Sequence, residues 1–306
     1  MNVLIDCLKN PRLFIYILLI KMCNLFHDDE AYLRKLFYFK MGYNLNLANP
    51  RTFCEKLQWL KLHNRIPVYT MMVDKVEVKK WVANKIGSEY VIPTIGVYEN
   101  VDDVDFDQLP NQFVLKCNHN SRVGMCICKD KTQLNINKVK KELEKGLKEN
   151  HYMKTREWPY KNVRRKILVE KYMEEEGCPS LHDYKVMCFN GKAKLIELHR
   201  GRFTDYHIQE FYDCNWNKTN ISQSGSGCIS NEVIPPPSFL KELLELSEIL
   251  AEGIPHVRVD WYYVKKQLYF GEMTFFDGAG FDPMDKKEDE LMLGSWINIA
   301  CCKHSN

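Results

Sequence analysis

The chain has 306 residues, of which 45% are hydrophobic and 27% are charged. These proportions are typical of a soluble globular protein and exclude disordered, collagen-like and coiled-coil chains, while the length predicts about two domains. Forty-three Lys and Arg residues stand against 40 Asp and Glu residues, and the net charge of +3 lacks the strong basic excess of most nucleic-acid-binding proteins. Any basic site is therefore expected to be local.

The first predicted element is an apolar helix near the N-terminus. Residues 13–20 form an unbroken apolar run between Arg12 and Lys21, and Asn10 followed by Pro11 is a pattern typical of a helix start. The run is shorter than the roughly 20 residues that a membrane-spanning helix needs, and no small-residue cleavage site follows it. We therefore expect neither a membrane span nor a signal peptide, and we predict a cytoplasmic protein.

Two interpretations of this helix remain open. Its apolar surface could dock on the body of the protein. Alternatively, residues 11–26 could make a peripheral contact with the inner face of the cytoplasmic membrane, because basic residues flank the apolar run.

Two further helices are predicted before residue 65. Asp28 is expected to cap the first, which Gly42 ends, and Thr52 with Glu55 is the capping box of the second. A helix over residues 73–86 follows and ends at Gly87.

The rest of the chain mixes strands with helices, which predicts an α+β fold. Asn190-Gly191 is expected to turn a hairpin, and Ser238 is expected to cap a late helix. The predicted strands cover residues 90–97, 113–116, 124–128, 167–172, 184–189, 193–198, 257–263 and 267–273, with a helix between the third and fourth.

Asp260 and Glu272 lie on the two strands of the last predicted hairpin, where they can face the same side. Two carboxylates on one sheet face are costly unless a cation or a proton lies between them, so a divalent metal site is one explanation. A solvated strand face with ordinary acids is the other.

Lys116 and Lys171 follow apolar strands, where a charged side chain requires an anion. Nucleotide phosphates would serve, and so would a structural ion pair. The polar turn over residues 118–124 is of the kind that folds over phosphates, although it matches no Walker motif.

The order of these elements resembles the ATP-grasp superfamily, and in particular the TupA-like family of teichuronopeptide biosynthesis, which is found in bacterial polysaccharide gene clusters. Three segments carry the resemblance, namely residues 45–61, 156–163 and 257–281, and it extends from Leu45 to Ile299. The resemblance implies an N-terminal helical segment at residues 1–65, a nucleotide-closing lobe at 66–176 and a metal-bearing lobe at 177–306, with ATP and Mg²⁺ between the lobes.

The resemblance also implies roles for individual residues. Arg258 corresponds to the arginine that stabilises the tetrahedral intermediate in D-alanyl-D-alanine-type ligases. Asp260 and Glu272 correspond to the magnesium ligands, and Thr274 replaces the usual Asn ligand. The implied ATP-binding residues are Lys75, Lys116, Asn118, Ser121, Gly124, Glu170, Lys171 and Met173, with either Glu175 or Glu176 at the ribose.

The implied activity is an ATP-dependent carboxylate–amine ligase that acts through an acyl phosphate. The cationic group His199, Arg200 and Arg202 suits an acidic sugar or amino acid as substrate, or else it is a set of solvated loop charges. A sugar phosphotransferase with the same ATP site and a glycosyltransferase are the alternatives. Residues 103–107 contain the Asp-x-Asp pattern of the latter, and we interpret them as acids of a turn.

Overall fold

The computed structural model describes residues 10–121, 123–175, 180–202, 204, 206–223, 228, 230 and 232–300. Glu176, one of the two residues expected at the ribose, lies outside the described residues.

The chain combines helices and strands in an α+β arrangement, as predicted. The helices are α1 (Pro11–Lys21), α2 (Asp29–Met41), α3 (Phe53–His63), α4 (Val68–Val73), α5 (Glu77–Ile86), α6 (Ile136–Lys148), α7 (His151–Thr155), α8 (Leu240–Leu250) and α9 (Lys287–Trp296). The strands are β1 (Thr94–Tyr98), β2 (Phe113–Cys117), β3 (Met125–Cys128), β4 (Ile167–Lys171), β5 (Asp183–Phe189), β6 (Lys192–Arg200), β7 (Ile208–Tyr212), β8 (His256–Val264) and β9 (Gln267–Thr274).

The predicted starts of the first three helices are confirmed. The side chain of Asn10 accepts a hydrogen bond from the Leu13 amide, and that of Asp28 accepts one from the Glu30 amide. Thr52 and Glu55 form the reciprocal capping box. These side chains satisfy backbone N–H groups that have no partner within the helix.

Two boundaries differ from the prediction. The helix expected over residues 73–86 begins only at Glu77, after a break that separates it from an additional helix, α4, because the Asp74 carboxylate accepts from the Val76 amide at 2.9 Å and so competes with the helical pattern. This break contains Lys75. Phe239, not Ser238, is the residue before α8, and the Leu240 amide bonds instead to the Pro237 carbonyl.

The smaller sheet has the strand order β1-β4-β2-β3 with antiparallel pairing throughout. Helix α6 packs on it through Val139 and Leu143, which are buried in the same cluster as the strands. Gly124, at the start of β3, has a φ of +69°, and a side chain there would meet Cys117 and Gly146 at less than 3 Å. The close approach of the loop to α6 therefore requires glycine at this position.

The larger sheet has the strand order β7-β6-β5-β8-β9. The hairpin predicted at Asn190-Gly191 is confirmed, and both residues have the positive φ of a type I′ turn. Asp260 on β8 pairs directly with Glu272 on β9, and on its other side β8 places Asp260 opposite Lys185 of β5. The pairing therefore brings these three charges to one place.

The buried side chains form two hydrophobic clusters. The smaller one belongs to the four-stranded sheet and α6. The larger one joins α2 and α3 to the five-stranded sheet, and it also includes Tyr69, Val78 and Val82 from α4 and α5. The predicted division of the chain at residues 65 and 176 stays a prediction.

Helix α3 is fixed to the turn that follows β9, at Asp277–Gly280. Gln58 Nε2 donates to the Gly280 carbonyl at 2.7 Å, and Lys61 Nζ donates to the Ala279 carbonyl at 2.6 Å and to the Thr155 carbonyl at 2.8 Å. Because Gly278, Ala279 and Gly280 all have positive φ, their carbonyls leave the usual strand direction and become accessible to α3.

Helix α1 docks on the protein through Tyr16, Leu19 and Ile20, which pack against the larger cluster. The Tyr16 ring lies 6.0 Å from that of Phe281. Docking of α1 is thus confirmed for this face. Among the described residues, no helix combines the length and the apolar character that crossing a membrane requires.

Candidate active site

The first cluster of charges lies on the smaller sheet around Glu170 of β4. Lys116 Nζ of β2 lies 2.5 Å from Glu170 Oε2, and Lys79 Nζ of α5 lies 2.5 Å from Glu170 Oε1. Burial by itself would raise the pKa of Glu170, but the two ammonium groups hold it below its ordinary value. Glu170 is therefore the anion that the sequence required for Lys116.

Lys79 was not identified from the sequence. Its Nζ also donates to the Ile92 carbonyl at 2.6 Å, and burial lowers its pKa. In the helix predicted over residues 73–86, Lys79 stands one turn after Lys75, and this was the available signal, since side chains four residues apart share a helix face.

The second cluster lies on the larger sheet around Asp260, which is 3% exposed. Arg258 forms two hydrogen bonds with it, from Nε to Oδ1 at 2.7 Å and from Nη2 to Oδ2 at 2.9 Å, and Lys185 Nζ donates to Oδ2. Burial would raise the pKa of Asp260, but Arg258 and Lys185 hold it well below the usual range. Two protein cations thus compensate the carboxylate that the sequence had suggested for a metal.

Arg258 contacts further groups beyond Asp260. Its Nη1 donates to Asp277 Oδ1 at 2.5 Å and lies 3.7 Å from Glu197 Oε2. Asp277 Oδ2 in turn is 2.9 Å from His256 Nε2. Carboxylates on several sides therefore fix the orientation of the guanidinium, whose rigid fork of donors lysine lacks.

Lys75 connects the two sheets. Its Nζ donates to the Asn120 carbonyl at 3.1 Å, in the loop after β2, and lies 3.5 Å from Glu272 Oε2 on β9. Its own amide donates to the Asn118 carbonyl at 3.3 Å. Burial would raise the pKa of Glu272, but nearby cations hold it below its ordinary value. Among these cations, Lys75 has the largest effect.

The loop over residues 118–124 is anchored at both ends. The Asn118 side chain is buried, donates to Asp74 Oδ1 at 2.8 Å and to the Arg164 carbonyl at 2.9 Å, and accepts from the Lys166 amide at 2.8 Å. Gly124 is held against α6, as described above. Ser121 between them is exposed.

The segment after β4 was expected to meet the nucleotide base. The Lys171 amide donates to the Pro93 carbonyl at 3.0 Å while its side chain is exposed, and Met173 is half-buried. Glu175 Oε2 accepts from the Lys265 amide at 2.6 Å, which ties this segment to the β8–β9 turn.

The cationic group near the end of β6 is internally paired. His199 Nε2 lies 2.7 Å from Glu197 Oε1, Arg200 pairs with Glu210 and Glu232, and Arg202 pairs with Asp183 at 3.1 Å. The first of these pairs extends to Arg258, because Glu197 contacts both His199 and Arg258. The structure thus brings His199 into the Arg258 network and directs Arg200 to the β7 edge.

The donor set on the β8–β9 hairpin is chemically suited to magnesium. Asp260, Glu272 and Thr274 offer two carboxylates and a hydroxyl, and Mg²⁺ prefers oxygen ligands. The Glu272 side chain is 38% exposed and is the more accessible of the two carboxylates, whereas the Asp260 side chain is buried and bound by Arg258 and Lys185. The Thr274 hydroxyl accepts from Arg258 Nη2 at 3.3 Å.

Comparison with known families found one family model that covers most of the chain. The model of the TupA-like ATPgrasp family matches residues 55–298. The chain belongs to the TupA-like ATP-grasp family. The resemblance seen in the sequence is thereby confirmed, and with it the α+β ATP-grasp fold class. No curated protein sequence matches this TupA-like chain.

Solved structures similar to this TupA-like protein include ATP-grasp ligases. The D-alanine–D-alanine ligase of Bacillus anthracis complexed with ATP is 19% identical, with 67% of this chain and 54% of the ligase covered and a TM-score of 0.39. The Helicobacter pylori D-alanine–D-alanine ligase is 14% identical, with 80% of this chain and 68% of the ligase covered and a TM-score of 0.43. ATP-grasp ligase PsnB, complexed with minimal precursor, Mg and ADP, is 7% identical, with 74% of this chain and 60% of PsnB covered and a TM-score of 0.39. The chain spans about half the length of the B. anthracis ligase.

Proposed function

We propose that this protein is an ATP- and Mg²⁺-dependent ligase that joins a carboxylate to an amine through an acyl phosphate. Family membership supports the use of ATP. The single observation that carries the proposal is the position of Lys75, whose ammonium contacts both the loop after β2 and Glu272. One lysine thereby joins the candidate phosphate loop to the candidate metal carboxylate.

The charges around this point suit a polyphosphate. Lys79 and Lys116 together carry one more positive charge than Glu170 neutralises. Lys75 adds a further cation beside the loop. Phosphoryl transfer is accelerated mainly by such positioned positive charge, because negative charge is spread over the transferring oxygens.

Asp260, Glu272 and Thr274 would hold the magnesium. When bound, this ion would neutralise charge on the phosphate oxygens and orient them. Lys185 and Arg258 keep Asp260 ionised, which a carboxylate ligand must be.

Arg258 is the candidate for the acyl-transfer step. When the amine attacks the carbonyl carbon of the acyl phosphate, negative charge develops on the carbonyl oxygen before phosphate leaves. A guanidinium held by Asp260 and Asp277 is preorganised to stabilise that oxygen without further reorientation.

The substrate class is the less constrained part of the proposal. We place the protein in capsular or cell-surface polysaccharide biosynthesis, with an amino acid or amine joined to an acidic sugar. The cationic residues His199, Arg200 and Arg202 favour an acidic substrate, and His199 reaches the Arg258 network through Glu197. The Asp-x-Asp segment gives no support to a glycosyltransferase, since Asp103 and Asp105 accept hydrogen bonds from backbone amides of their own turn.

Nucleotide binding is tested by thermal unfolding with and without ATP and Mg²⁺. We expect the melting temperature of the wild-type protein to rise, and Glu272→Ala to abolish the rise. Glu252→Ala is the matched control, because the Glu252 side chain is 79% exposed and its ion pair is with Lys85, which is not a residue of the candidate site. Absence of any shift in the wild-type protein would overturn the proposal.

The reaction class is tested separately by incubation with ATP, Mg²⁺, hydroxylamine and candidate uronic or amino acids. Hydroxamate formation with release of ADP would support the ligase, because hydroxylamine intercepts an acyl phosphate. Release of ADP with a phosphorylated sugar would show a phosphotransferase instead. Sugar transfer without ATP would show a glycosyltransferase.

A further inference from the structure

Helix α1 has a second apolar face in addition to the docked one. Phe14, Leu18 and Met22 are 55%, 42% and 41% exposed, and Leu25, in the 3₁₀ turn that continues the helix, is 67% exposed. Their spacing of four, four and three residues places them along one side of the helix axis. Together these four side chains form what we call the outer stripe.

The outer stripe lies on the side of α1 away from the protein. The docked residues Tyr16, Leu19 and Ile20 follow the same periodicity on the opposite side and pack against the larger cluster. The protein core therefore covers only half of this helix. A helix that is apolar on all sides is normally covered on all sides, so the outer stripe requires a second apolar partner.

The charges around α1 favour one kind of partner. The sequence has no Asp or Glu between Asp6 and Asp28, whereas it contains Arg12 and Lys21 at the two ends of the helix. Lys21 is exposed and, by helical periodicity, lies on the side of the outer stripe. Along α1 the outer stripe therefore has one basic side chain beside it and no acidic one, which matches the boundary between the acyl chains and the headgroups of an anionic bilayer.

We propose that α1 holds this protein against an anionic membrane surface, with the outer stripe inserted at the headgroup boundary and Lys21 at the lipid phosphates. The helix lies in the plane of the surface and does not cross it. The opposite face keeps its contacts with α2 and with Phe281, so the body of the protein remains folded on the membrane.

The test is co-sedimentation of the full-length protein with vesicles of phosphatidylcholine alone or of phosphatidylcholine with an equal part of phosphatidylglycerol. We expect binding to the mixed vesicles, and we expect the triple variant Phe14→Ser, Leu18→Ser, Leu25→Ser to lose at least about tenfold in partitioning. The matched control is Val233→Ser with Ile249→Ser, since these apolar side chains are also exposed but lie elsewhere. The control variant should bind as the wild-type protein does.

Charge and folding are checked in the same assay. Lys21→Gln should weaken binding to the mixed vesicles by about fivefold, and added salt should reduce that difference. The triple variant should keep the melting temperature of the wild-type protein, because the substituted side chains are exposed. It should also keep the thermal shift with ATP, so failure of this proposal is distinguishable from failure of the proposed function.

Three outcomes would overturn the proposal. The wild-type protein could fail to sediment with mixed vesicles. The triple variant could bind as tightly as the wild-type protein, which would locate the membrane contact elsewhere. Finally, light scattering could show dimers that the triple variant loses, without vesicle binding, which would assign the outer stripe to a second copy of the chain.

Discussion

Counted over their Lys, Arg, Asp and Glu side chains, the two charged clusters differ in the sign of their excess charge. On the smaller sheet, one carboxylate, Glu170, is shared by Lys79 and Lys116. On the larger sheet, Arg258 and Lys185 are surrounded by three carboxylates, those of Asp260, Asp277 and Glu197. The first cluster is therefore suited to an anion and the second to a cation.

This difference shows why neither cluster is explained by packing alone. A buried ion pair that served only stability would be expected to balance its charges, because an uncompensated buried charge is costly. Here each cluster leaves an excess, of opposite sign, and Lys75 bridges the space between the two sheets. The excess is the property that a complex of metal and polyphosphate would neutralise.

Replacement of Arg258 should give the largest loss of stability in the larger cluster. Arg258→Met leaves Asp260 and Asp277 buried without their main cation, and we expect the unfolding free energy to fall by about 3–5 kcal/mol in urea denaturation. Arg164→Met is the control, because the Arg164–Glu99 pair is exposed and should contribute at most about 1 kcal/mol. Equal losses in the two variants would contradict the contrast between the clusters.

The carboxylate of Glu197 in the larger cluster should make the free energy of unfolding depend on pH. Burial would raise the pKa of Glu197, but the hydrogen bond to His199 and the charge of Arg258 lower it to about 2. A carboxylate with a lowered pKa stabilises the fold above its ordinary pKa, and this contribution is lost as the pH falls towards about 2. We expect the wild-type protein to lose about 3 kcal/mol more than Glu197→Gln between pH values of about 5 and 2. Glu252→Gln should instead follow the wild-type curve.

The smaller cluster should respond unequally to loss of its acid and of one of its bases. Glu170→Gln leaves two partly buried lysines without a carboxylate and should cost about 2 kcal/mol. Lys116→Met should cost less, because Lys79 still neutralises Glu170. Urea denaturation of both variants decides this. A larger loss for Lys116→Met would show that Glu170 needs both lysines and that no positive charge is in excess.

The smallest expected effect is the contribution of Lys61 to the pH dependence of stability. Lys61 is a buried cation whose ammonium donates to two carbonyls and not to a carboxylate. Burial lowers its pKa to about 7. The unfolded chain therefore holds more protons above that pH, and stability should rise by about 1.5 kcal/mol between pH values of about 7 and 8.5. Lys61→Met should lack this rise when the two unfolding curves are compared, and a rise of the same size in both would exclude Lys61 as its source.

Much of the fold was readable from local sequence signals. The caps at Asn10, Asp28 and Thr52 and the turn at Asn190-Gly191 depend on the chemistry of a few neighbouring residues, and all four were predicted correctly. The break at Lys75 was missed because it depends on a carboxylate, Asp74, that also accepts from Asn118, which lies far away in the sequence.

The candidate site was predictable only in part for the same reason. Lys116, Asp260 and Glu272 stood out as charges on apolar strands, whereas Glu170 and Arg258 were indicated only by the resemblance to the ATP-grasp family. Their partners Lys79, Lys185 and Glu197 did not, because strand order and register decide which charges meet. The roles of the site residues toward ATP, metal and substrate stay predictions.

The hydrogen bonds between α3 and the turn after β9 limit where the protein can be truncated. Gln58 and Lys61 supply hydrogen bonds to carbonyls only two or three residues beyond Asp277, the partner of Arg258. A truncated protein that began after residue 65 would lose these donors and expose part of the larger cluster. Helix α3 thus stabilises the turn after β9. Substitutions that disrupt the N-terminal helices should therefore reduce activity without changing any residue of the candidate site.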